Sequence, residues 1–261
     1  MPATTPIPGV EADPSTAARQ RLLASFGEPF FYSDWLRVVF IHYEIDPARL
    51  QPFIPFPLDL RDGKAYVSLV AFTMEDLRPR WGGALTALAF ARIATHELLN
   101  VRTYVRHGDE PGIYFIAEWI PNRLSVWIGP RTFGLPYRHG RLEYKHLPVQ
   151  GNLSGRITGG STGLAYDAII DPHTALQNCS PGSLDEFLIE RYTAFTSCGS
   201  RKRFFRIWHP PWLQTEIDVH ISNNSLLSSS FTWFGSARFA GAHFAPGVER
   251  VWMGRPYGIA G

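Results

Sequence analysis

The chain has 261 residues and a formal net charge of +2; 45% of its residues are hydrophobic and 18% are charged. The near-neutral charge argues against a nucleic-acid surface, and the basic run Arg201-Lys202-Arg203 is typical of a solvated turn. Because no apolar run approaches the ~18–20 residues of a membrane helix, we expect neither nucleic acid nor membrane as a partner.

The cysteine content and the turn residues indicate a turn-rich fold in a reducing compartment. Cys179 and Cys198 form no CxxC pair and are too few for a disulfide framework, which favours a cytoplasmic protein. The 23 glycines and 21 prolines are spread without a period, and aromatic residues make up 14% of the chain. This combination favours pleated sheet with many turns.

Strands dominate the predicted elements. Residues 1–13 are predicted to form a disordered leader, and residues 14–261 one domain, because no repeat or linker interrupts them. Helices are predicted over Ser15–Phe26, over one turn at Asp46–Leu50, and from the capping box Ser183–Glu186 onward to Phe195. The predicted strands are 36–41, 65–72, 96–106, 113–120, 125–128, 142–147, 155–158, 164–170, 204–208, 215–221 and 231–233. Without sustained strand–helix alternation, this pattern predicts a mainly β (α+β) fold whose antiparallel or mixed sheet closes on itself.

Two familiar motifs are absent or out of context. The run Gly159-Gly160-Ser161-Thr162-Gly163 matches the letters of a nucleophile elbow, but a strand follows it where the elbow needs a helix. We therefore interpret these glycines as a hairpin turn. The nine histidines show no HxH, HExxH or HxxxH spacing, so we expect no metal and no cofactor.

The strand over residues 96–106 carries the strongest chemical signal. On a regular strand Glu97 shares a face with Leu99 and Val101, whereas Arg102 shares the opposite face with Asn100 and Tyr104. A carboxylate among apolar side chains is desolvated, which raises its pKa and suits a general acid or base. The alternative is that Glu97 forms an ion pair with an arginine of a neighbouring strand.

Further candidate residues lie later in the chain. Glu118 belongs to the next predicted strand, among aromatic residues. A glycine- and proline-rich segment then ends in Tyr137 and Arg138. His209 and Trp212 flank two prolines in a rigid aromatic corner, and we expect both side chains at the mouth of a pocket.

Several motifs in one order make the chain resemble acetoacetate decarboxylases. The opening strand Leu36–Ile41, the leucine–proline spacing of Asp46–Pro57, Glu97 and the segment 129–136 carry this resemblance. The sequence is most similar to a bacterial branch of that superfamily known as a domain of unknown function. The matching motifs are Glu97 with Asn100–Val105, Pro111–Phe115, Leu135–Tyr137, Leu184–Tyr192 and His209–Trp212.

The resemblance implies a cone-shaped β-barrel with a central apolar cavity and a few peripheral helices. It also implies a lysine after the proline that forms a Schiff base, but Tyr137 and Arg138 occupy the matching positions here. The lysines are Lys64, Lys145 and Lys202, and none is well placed. An arginine supplies no neutral amine at pH 7, so we do not expect Schiff-base decarboxylation.

Three readings stay open at this point. The first is a cofactor-independent lyase, dehydratase or isomerase that acts on a small carbonyl or carboxylate compound. Glu97 would be its acid or base and Tyr137 its hydrogen-bond donor. Arg138 would hold a carboxylate, and Arg102 and Tyr104 would orient the residues around the substrate. The alternative is a non-catalytic protein that binds a small molecule. A homo-oligomeric scaffold with a degenerate pocket is a third reading.

Overall fold

The computed structural model describes residues 13–259. The predicted leader lies outside these residues except for Asp13, whose carboxylate accepts a hydrogen bond from the Thr16 backbone N–H and caps the first helix. The helices are α1 (Pro14–Leu23), α2 (Pro47–Leu50), α3 (Gly83–Phe90), α4 (Arg123–Thr132), α5 (Leu184–Ile189) and α6 (Ser225–Ser230), with short 3-10 helices at Gln51–Phe53, Pro148–Gln150 and Thr232–Ser236. None of these helices has the length and apolar content to span a membrane.

Strands make up most of the fold. In chain order they are β1 (Phe31–Ile45), β2 (Ala65–Pro79), β3 (His96–His107), β4 (Glu110–Ile120), β5 (Tyr137–His139), β6 (Arg141–Leu147), β7 (Asn152–Gly159), β8 (Thr162–Ile169), β9 (Thr193–Cys198), β10 (Arg201–Trp208), β11 (Thr215–Glu216), β12 (Asp218–Asn223), β13 (Arg238–Met253) and β14 (Tyr257–Gly258). Gly159 and Thr162 pair across the β7–β8 turn, so the nucleophile-elbow letters do form a hairpin. The prediction of a mainly β fold is confirmed.

Three predicted elements are wrong, and in two of them local capping or strand pairing overrides side-chain propensity. Residues 125–128 belong to α4, because the Asn122 side chain accepts hydrogen bonds from the backbone of Leu124 and Ser125 and starts a helix. Residues 231–233 enter a 3-10 helix instead of a strand. The helix after Ser183 ends at Ile189, and Phe195 lies in β9, paired with Phe204.

The large sheet closes into a ring of seven strands. Its order is β13-β1-β2-β3-β4-β9-β10, and β10 pairs back onto β13 through Ile207–Met253 and Trp208–Trp252. Every neighbour in the ring is antiparallel except β4 and β9, which are parallel. β1 shows register shifts against both of its partners, and such bulges bend a strand and help a sheet to curl.

The closed ring gives the molecule two apolar cores. The inner core draws side chains from all seven ring strands, such as Phe40, Val70 and Phe115. The outer core lies between the ring and a four-stranded sheet with the order β12-β8-β7-β6. Alternate residues of one strand serve the two cores: Phe40 faces inward, while its neighbour Ile41 packs in the outer core.

Gly112 permits the parallel contact that joins β4 to β9. A methyl group at this position would lie 2.5 Å from the Thr193 carbonyl oxygen and 2.7 Å from the Phe195 ring. We expect Gly112→Ala to lower the free energy of unfolding by ~1–3 kcal/mol through overpacking, as measured by urea denaturation. Gly235→Ala is the matched control, because a methyl group there meets nothing within 4 Å. Equal stability of the two variants would show that the ring does not depend on this close approach.

Candidate functional site

The inner core encloses a small cavity. Its volume is about 30 Å³, which leaves room for only about one or two water molecules. The walls are mainly apolar and aromatic, and four polar side chains interrupt them. The residues that line it are Trp35, Val38, Phe40, Val70, Phe72, Asn100, Arg102, Ile113, Phe115, Ile189, Arg191, Ile207, His209 and Trp212.

Two buried guanidinium groups reach the cavity. Arg191 forms an ion pair with Asp59 at 3.0 Å and donates from Nε to the Phe187 carbonyl at 2.7 Å. Arg102 is 7% exposed and donates to the Leu188 carbonyl at 3.0 Å, but within residues 13–259 it has no carboxylate partner. A buried cation without a counter-charge is costly, so this wall of the cavity favours an anion.

Glu118 supplies the acidic group on the same inner face. Strand pairing sets it opposite Asn100 of β3 and opposite Tyr137 of β5. It is 3% exposed, and burial raises the pKa of its carboxyl to about 8, against the opposing effect of a hydrogen bond with Asn100. Burial, together with the charge of Glu118, also raises the pKa of Tyr137. Both groups are therefore protonated at neutral pH and can act as hydrogen-bond donors.

Polar atoms without partners converge on this region. Glu118 Oε2, Asn100 Oδ1, Arg102 Nε and Arg191 Nη2 are all buried and make no hydrogen bond within the described part of the chain. Buried polar atoms in folded proteins are normally paired, and each unpaired one costs ~1–3 kcal/mol. Asn100, Arg102 and Arg191 line the cavity, and Glu118 lies opposite Asn100 on the neighbouring strand. Unpaired atoms on these four residues indicate a site built for a polar guest.

A hydrogen-bonded chain runs beneath the cavity through the inner core. His243 Nδ1 lies 3.2 Å from His42 Nε2, and His42 Nδ1 lies 2.7 Å from the Ser68 hydroxyl. The Ser68 hydroxyl contacts the Tyr104 hydroxyl, which donates to the Leu188 carbonyl at 2.7 Å. Burial, with smaller effects of His243 and Arg102, lowers the pKa of His42 well below its usual value, so His42 is neutral.

The structure brings most of the predicted site residues together. Arg102, His209 and Trp212 line the cavity, and Tyr104 bonds to the same Leu188 carbonyl as Arg102. His209 is 2% exposed, and burial lowers its pKa to about 4, so it serves as a neutral aromatic wall instead of a pocket mouth.

Glu97 and Arg138 are the exceptions, because they lie on the opposite faces of their strands. Glu97 shares its face with Leu99 and Val101, which pack in the outer core, and it is partly exposed. Arg138 is exposed, and its guanidinium lies 5.1 Å from the ring of Trp119. The strand period predicted these faces correctly, but it is the face of Arg102 that borders the cavity. The expectation that Glu97 and Arg138 reach it needs correction.

The lysines of the chain all lie away from the cavity. Lys64 forms an exposed ion pair with Glu44 at 2.7 Å, and Lys145 is exposed on β6. Lys202 donates to the Pro55 carbonyl at 2.5 Å. Among the residues that the structure describes, no lysine therefore lines the cavity.

The chain belongs to the DUF2071 family. The model of this family, which is described as an uncharacterized conserved protein, matches residues 32–249. The chain is also 33% identical to the uncharacterized protein YqjF of Bacillus subtilis (strain 168) over 196 residues, which cover 74% of this chain and 78% of that protein.

Solved structures with the same fold confirm the resemblance to acetoacetate decarboxylases. An acetoacetate decarboxylase-like enzyme from Sphingomonas wittichii RW1 superposes with a TM-score of 0.61 at 16% identity, covering 90% of this chain and 95% of that one. The enduracididine biosynthesis enzyme MppR, complexed with pyruvate, gives a TM-score of 0.60 at 12% identity over 91% and 93% of the two chains. At such identities the likeness concerns the fold.

The raised pKa of Glu118 predicts a specific pH dependence of stability. Between the ordinary carboxyl value of 4.5 and about 8, the folded protein holds a proton that the unfolded chain releases. This group therefore lowers the free energy of unfolding by ~1.4 kcal/mol for each pH unit across that window. We expect Glu118→Gln to remove this contribution. The free energy of unfolding of the variant should therefore increase relative to that of the wild type as the pH rises from 5 to 8.

Denaturant titrations at three pH values within that window measure the difference. Glu97→Gln is the matched control, since its side chain lies on the other strand face and is partly exposed. We expect this variant to show the same change of unfolding free energy with pH as the wild type. Parallel curves for Glu118→Gln and the wild type would show that Glu118 does not retain its proton in the folded state.

Proposed function

We propose that this member of the DUF2071 family binds a small carboxylate that also carries a carbonyl group, and transforms it by acid–base chemistry without an imine. The cavity inside the ring is the binding site. Arg102 and Arg191 hold the carboxylate, and Glu118 is the acid and base. Tyr137 assists as a hydrogen-bond donor.

The observation that carries this proposal is the set of unpaired atoms around the cavity. Arg102 Nε and Arg191 Nη2 are free donors, and a carboxylate accepts from such groups with the strongest hydrogen bonds available to it. The anion also supplies the counter-charge that Arg102 lacks. A neutral apolar guest would leave both guanidinium atoms unpaired, which disfavours it.

Glu118 supports the chemical part of the proposal. A carboxyl with a pKa of about 8 is protonated at neutral pH but close enough to ionisation to exchange its proton in either direction. It can donate to a substrate carbonyl oxygen and, once ionised, accept a proton from the carbon next to that carbonyl. Enolisation of this kind needs no lysine and is common to lyases, dehydratases and isomerases.

Pyruvate is a suitable probe for the site. It combines a carboxylate with a neighbouring carbonyl, and MppR, which shares the fold, has been crystallised with it. Because the cavity measures only about 30 Å³, entry requires a movement of side chains in its wall. Trp35 and Trp212 belong to that wall, so their fluorescence reports the movement.

The alternative is binding without turnover, and the tightness of the closed cavity favours it. A binding protein would use the same arginines but would not need the proton of Glu118. Binding and proton exchange must therefore be measured separately.

Removal of Arg102 tests the binding step. We expect Arg102→Gln to weaken pyruvate binding at least tenfold, because a charge-assisted hydrogen bond is lost, with tryptophan fluorescence as the measurement. Arg138→Gln is the control, because this arginine is exposed and lies over Trp119. Unaltered binding by Arg102→Gln, with its fold verified by circular dichroism, would rule out the proposed carboxylate site.

Deuterium exchange at the pyruvate methyl group tests the chemical step. The wild type should accelerate exchange in D₂O, as followed by proton NMR, and Glu118→Gln should lower this rate at least a hundredfold while pyruvate still binds. Exchange that survives in Glu118→Gln would exclude Glu118 as the base. Binding without any exchange in the wild type would support the alternative function.

An imine would also promote exchange, so borohydride reduction serves as a control in the same mixture. No pyruvate adduct should appear on Lys64, Lys145 or Lys202 after peptide mapping. A stoichiometric adduct on any of them would restore the imine mechanism.

A further inference from the structure

Three potential metal ligands meet at one end of the ring. Within the described residues, Asp185, Glu216 and His243 bring one ligand atom each to within 4.8 Å of one another. Strand pairing sets Glu216 of β11 directly opposite His243 of β13, and the first turn of α5 adds Asp185. They border a surface depression of about 420 Å³.

The ring of His243 is oriented so that its Nε2 faces the two carboxylates. His243 is 3% exposed, and its buried Nε2 makes no hydrogen bond to any residue that the structure describes. This atom lies 3.3 Å from Asp185 Oδ1, but the two are not aligned as a hydrogen bond. A buried ring nitrogen thus lies within ion-pair distance of Asp185 and faces Glu216 across the strands, without an aligned hydrogen bond to either carboxylate.

The hydrogen-bonded chain behind His243 fixes which of its nitrogens carries the proton. Tyr104 has one hydrogen, which goes to the Leu188 carbonyl, so the Ser68 hydroxyl must donate to Tyr104. Ser68 then accepts from His42 Nδ1–H. His42 Nε2 is left as an acceptor for His243 Nδ1–H. With this proton on Nδ1, His243 presents the lone pair of Nε2 to the cluster.

We propose that Asp185, Glu216 and His243 form a binding site for a divalent transition-metal ion of the zinc class. One imidazole and two carboxylates leave a fourth position free for water or a ligand in the surface depression. The 3.3 Å between His243 Nε2 and Asp185 Oδ1 is close to the ~3.4 Å that two metal–ligand bonds of ~2.1 Å span at a tetrahedral angle. Glu216, which is exposed, needs only a side-chain rotation to close the set.

The residues that hydrogen-bond to the proposed ligands also fit a metal site. Metal-binding histidines usually donate their second ring N–H to a fixed partner, which orients the ring. His42 provides this partner for His243, and it is itself held by Ser68 in a fully buried setting. An Asp185–His243 ion pair at 3.3 Å is the competing explanation, and its geometry lacks an aligned hydrogen bond.

This site stands apart from the proposed function, because none of its three ligands lines the inner cavity. No motif in the sequence predicts this site. His243 lies 27 and 58 residues beyond Glu216 and Asp185 in the chain, so no metal-binding spacing appears.

Titration calorimetry with ZnCl₂ on the full-length, tag-free protein tests the proposal. We expect one Zn²⁺ per chain, with binding at least tenfold weaker in Asp185→Asn and in Glu216→Gln. Both residues are partly or fully exposed, so these variants should fold. Asp218→Asn is the matched control: Asp218 borders the same depression but lies outside the three-ligand group, and its variant should bind as the wild type does.

Cobalt gives an independent readout. Co²⁺ bound by one imidazole and two carboxylates acquires intense visible absorption if the site is four-coordinate, and excess Zn²⁺ should abolish it. No stoichiometric Zn²⁺ binding by the wild type would overturn the proposal. Wild-type affinity in both Asp185→Asn and Glu216→Gln would overturn it too, because the zinc would then lie elsewhere.

Discussion

Closure of the seven-stranded ring is the constraint on which the rest of the structure depends. Once β10 pairs with β13, each ring strand turns one face toward the buried inner core. Every polar group on that face must then find its partner inside or remain unpaired. His42, Ser68 and Tyr104 meet this demand through one another, whereas Arg102 and Glu118 do not meet it fully. The unpaired atoms of Arg102 and Glu118 indicate where a ligand would bind.

The same closure decides the chemistry that these groups offer. In bulk water Glu118 would be an ordinary carboxylate, but burial keeps it protonated to about pH 8. Arg102 keeps its charge under the same conditions, because a guanidinium hardly ever gives up its proton. An acid that can exchange its proton thus lies near a permanent cation. This arrangement suits an anionic substrate whose reaction passes through an enolate.

Much of this could be read from the sequence, because it depends on local patterns. The two-residue period separated Glu97 from Arg102, and the chain order of motifs indicated the fold. The period could not tell which face turns inward, since both faces of β3 are covered by a core. His42 interrupts an apolar strand and could have been noted as a buried polar residue. Its partner His243 lies 201 positions away, and only the pairing of β1 with β13 brings the two together.

The helix α5 shows how a local signal controls distant parts of the molecule. Its capping box, in which the Ser183 hydroxyl accepts from the Glu186 N–H, was visible in the sequence and fixes where the helix starts. The first turn carries Asp185 to His243. The last carbonyls accept from the interior: Leu188 from Arg102 and Tyr104, and Phe187 from Arg191. Six residues thus join the surface cluster to the cavity. The geometry of both therefore depends on where the capping box sets this helix.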